Sequence, residues 1–175
     1  MQNTRTLVRI ALFAALIAVL SQISIPMPSG VPITLQTFAV ALAGYALGAK
    51  RGAACVGVYI ALGAVGAPVF AGFTGGFAKL FGVTGGFLWG FVLMAALCGL
   101  GTLCKKTAAA VGIGALGLLA CHLCGVLQFM FVAQVDFAKA ALTVSVPYLA
   151  KDFLSVAVGW MAACAVTRAL SRAAV

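Results

Sequence analysis

Acidic residues are nearly absent from this chain. Asp136 and Asp152 are the only two carboxylate side chains in 175 residues, against eleven Lys and Arg, and there is a single histidine. That scarcity rules out most acid–base and metal chemistry, which needs several convergent titratable groups. There is no G-x₄-G-K-[ST] run. Two acids cannot furnish both metal binding and general-base catalysis, so ATP hydrolysis by this chain is excluded. Also lacking are a long polar linker, a low-complexity stretch and a soluble segment of useful size, so the chain reads as one domain over residues 1–175.

What is present is apolar. Hydrophobic residues make up 65% of the chain and charged residues 7%, with a mean hydropathy of +1.22; these values lie outside the soluble range. In a soluble protein the net charge of +9 would suggest nucleic acid. Here the cations fall in small clusters between apolar runs, which is a topology signal.

A crossing helix needs about 20 apolar residues, and six candidates appear: 7–24, 33–49, 52–70, 84–104, 108–133 and 148–169. One set of connections carries Arg5, Arg9, Lys50, Arg51, Lys105, Lys106, Arg168 and Arg172. The other carries only Lys79, Lys139 and Asp136, and its first loop is uncharged. The positive-inside rule then predicts an all-α bundle of six transmembrane helices with both termini cytoplasmic. Arg5, Arg9 and the run Ile10–Leu20 imitate a secretory signal, but no A-x-A-like cleavage site follows, so this segment reads as a retained first helix.

Against this background Asp152 stands out, because an acid at the centre of a spanning helix costs about 2.5–3.5 kcal/mol. It sits in Pro147-Tyr148-Leu149-Ala150-Lys151-Asp152-Phe153-Leu154-Ser155, at the mouth of the last apolar segment. It either lines a site or marks a wetted helix start. Gln36 at the entry to the second segment is a ligand contact or an interhelical clasp. Loop one, Pro26-Met27-Pro28-Ser29-Gly30-Val31-Pro32, is stiffened by three prolines. The third connection, 66–87, is glycine-broken and contains Phe70, Phe73, Phe77, Phe81 and Phe87. So aromatic a stretch suits backbone packed against protein or a cavity better than a solvated hairpin, and its glycines permit close approach to a ligand.

These residues together resemble a family. Gly66-Ala67-Pro68-Val69-Phe70-Ala71-Gly72 and Gly82-x-Thr84-Gly85-Gly86-Phe87 look like the signature of BioY, the biotin-specific substrate-binding subunits of energy-coupling-factor transporters. Pro26-x-Pro28…Val31-Pro32-Ile33-Thr34-Leu35-Gln36-Thr37-Phe38 and the Pro-x₄-Asp motif ending at Asp152 fit as well, so the resemblance covers nearly the whole chain. It implies a small helical bundle in a bacterial cell membrane with a biotin pocket near its outer face, and no cofactor. The implied partners are a transmembrane coupling subunit and two ATPase subunits.

By the same resemblance, Asp152 contacts the ureido ring of biotin. Thr74 stands where some relatives have Asn, and keeps one donor–acceptor hydroxyl. Gly75, Gly76, Gly85, Gly86 and Phe87 would supply close backbone and an aromatic wall. Two departures bear on the carboxylate end of the ligand: some relatives carry Arg at the position of Leu88 and Lys at the position of Ser155. The cations left are Lys151 and Lys79, with Lys139 in a featureless connection. Lys151 ranks first because it starts the helix that carries Asp152. Neighbours on a helix point about 100° apart, so Lys151 need not pair with Asp152.

Ala11-x-x-x-Ala15 on the first helix, interleaved with Ala14-x-x-x-Ala18, allows close helix approach in lipid. The resemblance makes Ala11 and Ala15 contacts for the coupling subunit; internal packing is the alternative. Gly44-x-x-x-Gly48 and Gly86-x-x-x-Gly90 fit internal packing better. Cys121-His122-x-Cys124 looks like half a metal site, but in an apolar helix with no second ligand pair it reads as packing. Cys55, Cys98, Cys104 and Cys164 read as small core residues. Two further classes stay open: a self-sufficient carrier, proton-coupled through Asp152, and, less favoured, a membrane enzyme.

Overall fold

In the computed structural model, whose described residues are 2–172 (side chains 4–169), the second helix occupies the centre of a helical bundle. Helix α2 (Gln36–Leu47) is buried on every side from Ala39 to Tyr45, as expected of a helix that is apolar all round. It packs against α1 (Gln2–Ser21), α3 (Ala49–Ala64), α4 (Gly85–Gly101) and α7 (Val146–Arg172). Helix α5 (Thr107–Ala133) lies along α4, and a short α6 (Phe137–Val144) closes one end.

Among the described residues, α1, α5 and α7 are long and apolar enough to cross a membrane, through Thr4–Ser21, Thr107–Ala133 and Val146–Ala169. Helices α2 and α4 are apolar but shorter, with 12 and 17 residues. At 1.5 Å per residue, α2 is about 18 Å long against a hydrocarbon core of about 30 Å. The expected segment 33–49 therefore begins as non-helical backbone. Ser24–Ile25 (β1) and Ile33–Thr34 (β2) form a small antiparallel hairpin, with loop one as its tip.

The expected span 52–70 also stops early. Gly66 adopts φ +102 and Pro68 follows, so the helix ends at Ala64. From there the third connection folds back on the bundle: Gly76 N–H donates to the Gly63 carbonyl at 2.7 Å, and Phe70 and Thr74 pair as an antiparallel bridge. It contains one 3₁₀ turn, Phe77–Leu80. Its aromatic residues divide: Phe70 is buried and Phe87 half-buried, whereas Phe73, Phe77 and Phe81 are exposed.

Helix α6 was hidden in the sequence by its charges. Asp136 caps it, accepting from the Lys139 N–H at 2.7 Å, which satisfies an otherwise orphaned helix-start donor. Helix α7 then starts at Val146, with Pro147 in the first turn, where no N–H is needed.

Glycines set the closest helix contacts. A Cβ on Gly90 would lie 2.6 Å from the Cys121 Cα, and one on Gly86 would strike the Cys124 carbonyl, so α4 and α5 meet backbone to backbone. A Cβ on Gly44 would lie 2.5 Å from the Ala95 carbonyl oxygen. These are the internal contacts expected for Gly44 and for the Gly86–Gly90 pair. Gly48 turns the chain between α2 and α3 at φ +81, with open space on its own Cβ side, while its backbone lies against Gly99 of α4. All six cysteines are free thiols, with Cys55, Cys98 and Cys121 buried.

Candidate functional site

The helix order brings five chain segments to one end of the bundle: the β1–β2 hairpin, the third connection, the start of α4, the second half of α5 and the α6–α7 junction. They enclose a cavity of about 320 Å³, at the lower end of the range for small-molecule sites, about 300–1,000 Å³. The clusters Lys50–Arg51 and Lys105–Lys106 lie at the opposite end, where α3 begins and α4 ends. The wall is largely apolar, with Phe70, Phe87, Leu88, Phe91, Leu118 and Val144, and a few polar groups converge on it.

Asp152 is the centre of that polar group, only 5% exposed in the first third of α7. Its Oδ2 lies 3.2 Å from Nε2 of His122 on α5. The His122 Nδ1 is 2.9 Å from the Ser145 hydroxyl, at the joint between α6 and α7. An ionised carboxylate only accepts, so the ring donates from Nε2 to Oδ2, and Nδ1 shares a hydrogen bond with the Ser145 hydroxyl. Phe87 meets the ring edge-on, with centroids 5.7 Å apart. The other carboxylate oxygen, Oδ1, is buried against the Lys151 ammonium, its ion-pair partner, and the Thr37 hydroxyl also serves the carboxylate.

Lys151 is therefore committed. Its side chain folds back over the cavity, pairs with Asp152 and donates to the Thr34 carbonyl at 2.8 Å. Helical geometry alone did not require the two neighbours to pair; the length of the lysine stem lets them. Thr34 belongs to β2, so one ammonium ties the hairpin to α7. Tyr148 reinforces the tie, donating to the Val31 carbonyl at 2.6 Å.

The other predicted residues divide. Gln36 lines the cavity and also clasps, donating to the Tyr59 hydroxyl at 2.7 Å. Thr74 lines it too, with its hydroxyl spent on the Ala71 carbonyl at 3.0 Å. Lys79 lines it from the exposed 3₁₀ turn, and Phe87 forms part of the wall. Gly75, Gly76, Gly85, Gly86 and Ser155 do not line it. Gly75 packs on Ala67, and Gly85 on Leu80 and Gln128, while the Ser155 hydroxyl bonds back to the Lys151 carbonyl at 3.0 Å. Gly75, Gly85 and Gly86 act as spacers behind the wall, whereas Gly76 turns the chain at φ +104 with open space on its Cβ side.

His122, which sequence reasoning set aside as packing, lines the cavity and contacts Asp152. Its environment is polar on both ring nitrogens, and no group of three His, Cys, Asp or Glu among the described residues is placed to hold a metal. A signal was available: a lone histidine inside an apolar helix needs a buried partner, and Asp152 is one of only two acids in the chain. Ser145, Tyr148 and Thr34 were missed because their contribution depends on the hairpin and on α6.

On α1, Ala11 and Ala15 are exposed on the outer surface of the bundle, whereas Ala14 is buried and Ala18 half-buried. The two interleaved small-residue motifs thus face different neighbours.

Comparison with known proteins agrees with this architecture. A profile of the BioY family matches residues 1–172. The biotin transporter BioY2 of Lactococcus lactis is 41% identical over 175 residues, covering 98% of this chain and 96% of the relative. The biotin transporter BioY of Thermotoga maritima is 41% identical over 157 residues, covering 88% and 90%. Among solved structures, an S-component for biotin from an ECF-type ABC transporter superposes with a TM-score of 0.87 at 25% identity, covering 95% of this chain and 93% of that one. The chain is a multi-pass membrane protein that belongs to the BioY family.

Proposed function

We propose that this chain is the biotin-binding subunit of an energy-coupling-factor transporter, capturing biotin in the cavity and delivering it inward. The supporting observation is a buried carboxylate, held by His122 on one oxygen and paired with Lys151 on the other, in the wall of a mostly apolar cavity. A ureido N–H meets Oδ1, while Phe87, Phe91 and Leu118 cover the apolar remainder. The chain forms one domain, residues 1–175, crossing the membrane six times with both termini cytoplasmic. Where α2 and α3 are too short to cross, the hairpin and the third connection complete the reach as irregular backbone packed on protein. The cavity then faces outward.

The energy comes from partners: a transmembrane coupling subunit and two ATPase subunits. The exposed Ala11–Ala15 face of α1 is the contact for the coupling subunit, since small residues let helices approach closely in lipid. Purified chain should bind biotin, and cells should take it up only when the coupling and ATPase subunits are co-expressed. In the same system Ala11→Leu or Ala15→Leu should leave binding intact and reduce co-purification of the coupling subunit. Uptake by the chain alone would favour a self-sufficient carrier, and loss of binding in the alanine variants would place those residues inside the bundle.

Lys79 takes the biotin carboxylate in this reading, ahead of Lys151, whose ammonium is already shared between Asp152 and Thr34. Exposed ion pairs are worth about 0.2–1 kcal/mol, so Lys79→Gln should weaken biotin about 1.4- to fivefold and leave an uncharged biotin amide unchanged. Lys151→Gln should weaken both ligands equally, because it loosens Asp152 and the hairpin. Selective loss of biotin in the Lys151 variant would reverse the assignment.

A further inference from the structure

We infer that His122 is a positioning residue for ligand recognition, holding Oδ2 of Asp152 so that Oδ1, already paired with Lys151, keeps its second lone pair for a donor in the cavity. The inference rests on the reading of that cavity as the biotin site. Three buried polar side chains from separate elements form a chain of contacts: Ser145 at the α6–α7 joint, His122 on α5 and Asp152 on α7. Both ring nitrogens are occupied, and Phe87 stands perpendicular against the ring at 5.7 Å. The imidazole therefore has one orientation, and the carboxylate oxygen it touches has one place to be.

The reason such a device is needed lies next door. Lys151 is adjacent in sequence and already pairs with Oδ1. With Oδ2 unheld, the carboxylate could turn both oxygens onto the ammonium and become a closed ion pair with little capacity left for a neutral N–H donor. His122 takes Oδ2 and blocks that rotation. The donor lost in a His122 variant would leave a buried carboxylate oxygen unpaired, and bonds to charged groups are the stronger ones.

Two substitutions separate positioning from packing. The Gln amide nitrogen is as many bonds from the backbone as the imidazole Nε2, so His122→Gln keeps the donor to Asp152. The Asn amide reaches only as far as Nδ1, so His122→Asn keeps a partner for Ser145 and loses the carboxylate. By calorimetry on the purified full-length chain, His122→Gln should bind biotin within about threefold of wild type, and His122→Asn about 10- to 100-fold more weakly. In the Asp152→Asn background, His122→Asn should add less than about a twofold further loss, because the histidine acts through that carboxylate. Melting curves of each variant report folding, and the Gln variant keeps the comparison intact should the Asn variant not fold. Equal losses for Gln and Asn, or losses that multiply in the double variant, would overturn the inference while leaving the biotin reading in place. A wild-type chain that does not bind biotin would overturn both.

Discussion

Asp152→Ala should weaken biotin binding about 10- to 150-fold, the equivalent of about 1.5–3 kcal/mol for a hydrogen bond to a charged acceptor. The loss has two parts. The ureido N–H groups lose their acceptor, and the Lys151 ammonium stays at the cavity wall without its counter-charge. Lys151 keeps the Thr34 carbonyl, so the hairpin remains tethered and the fold survives, which makes the measurement clean. His122 keeps its Ser145 contact and loses only Oδ2. Unchanged affinity by calorimetry on folded variant would place the head group elsewhere and reduce Asp152 to part of a structural ion pair. Asp152→Asn offers a graded control, keeping one acceptor oxygen and removing the charge; its loss should be smaller.

Asp152 was legible in the sequence because the chain has so few acids, and the membrane cost of a carboxylate turns rarity into a site signal. Gln36 and Lys79 were legible as isolated polar residues beside glycine- and proline-rich backbone. His122 was not, because its partner lies 30 residues away and its immediate neighbours, Cys121 and Cys124, suggest a metal motif instead. The short helix α6 escaped for a related reason. Asp136 and Lys139 look like loop charges until Asp136 is seen capping eight residues of helix. The lengths of α2 and α3 were overestimated because hydropathy does not distinguish a helix from an apolar hairpin or an irregular connection packed on the bundle. Small residues were the hardest to assign. A glycine near a ligand and a glycine between two helices look the same in sequence, and only the position of α5 decides that Gly86 is the second kind.

That distinction yields the second large effect. Gly86→Ala should destabilise the protein, because the added methyl points at the Cys124 carbonyl and the Gln128 side chain rather than into the cavity. A carbonyl inside a helix cannot move aside as a flexible side chain would, so α4 and α5 must separate. Overpacking of this kind costs about 1–3 kcal/mol, which for a chain of this size corresponds to a melting shift of about 2–12 °C. The parted helices are the ones that carry Phe87 and His122, so the aromatic wall loosens from the ring it holds. Biotin affinity of the folded fraction should nonetheless fall less than in Asp152→Ala, since no polar contact to the ligand is removed. A fall in affinity as large as that of Asp152→Ala, with an unchanged melting temperature, would instead mean that backbone at Gly86 touches the ligand, as its place in the glycine-rich motif first suggested. Gly90→Ala, facing Cys121 one turn deeper, should reproduce the stability loss. Agreement between the two would mark the α4–α5 seam, and not a single residue, as what sets the width of the cavity.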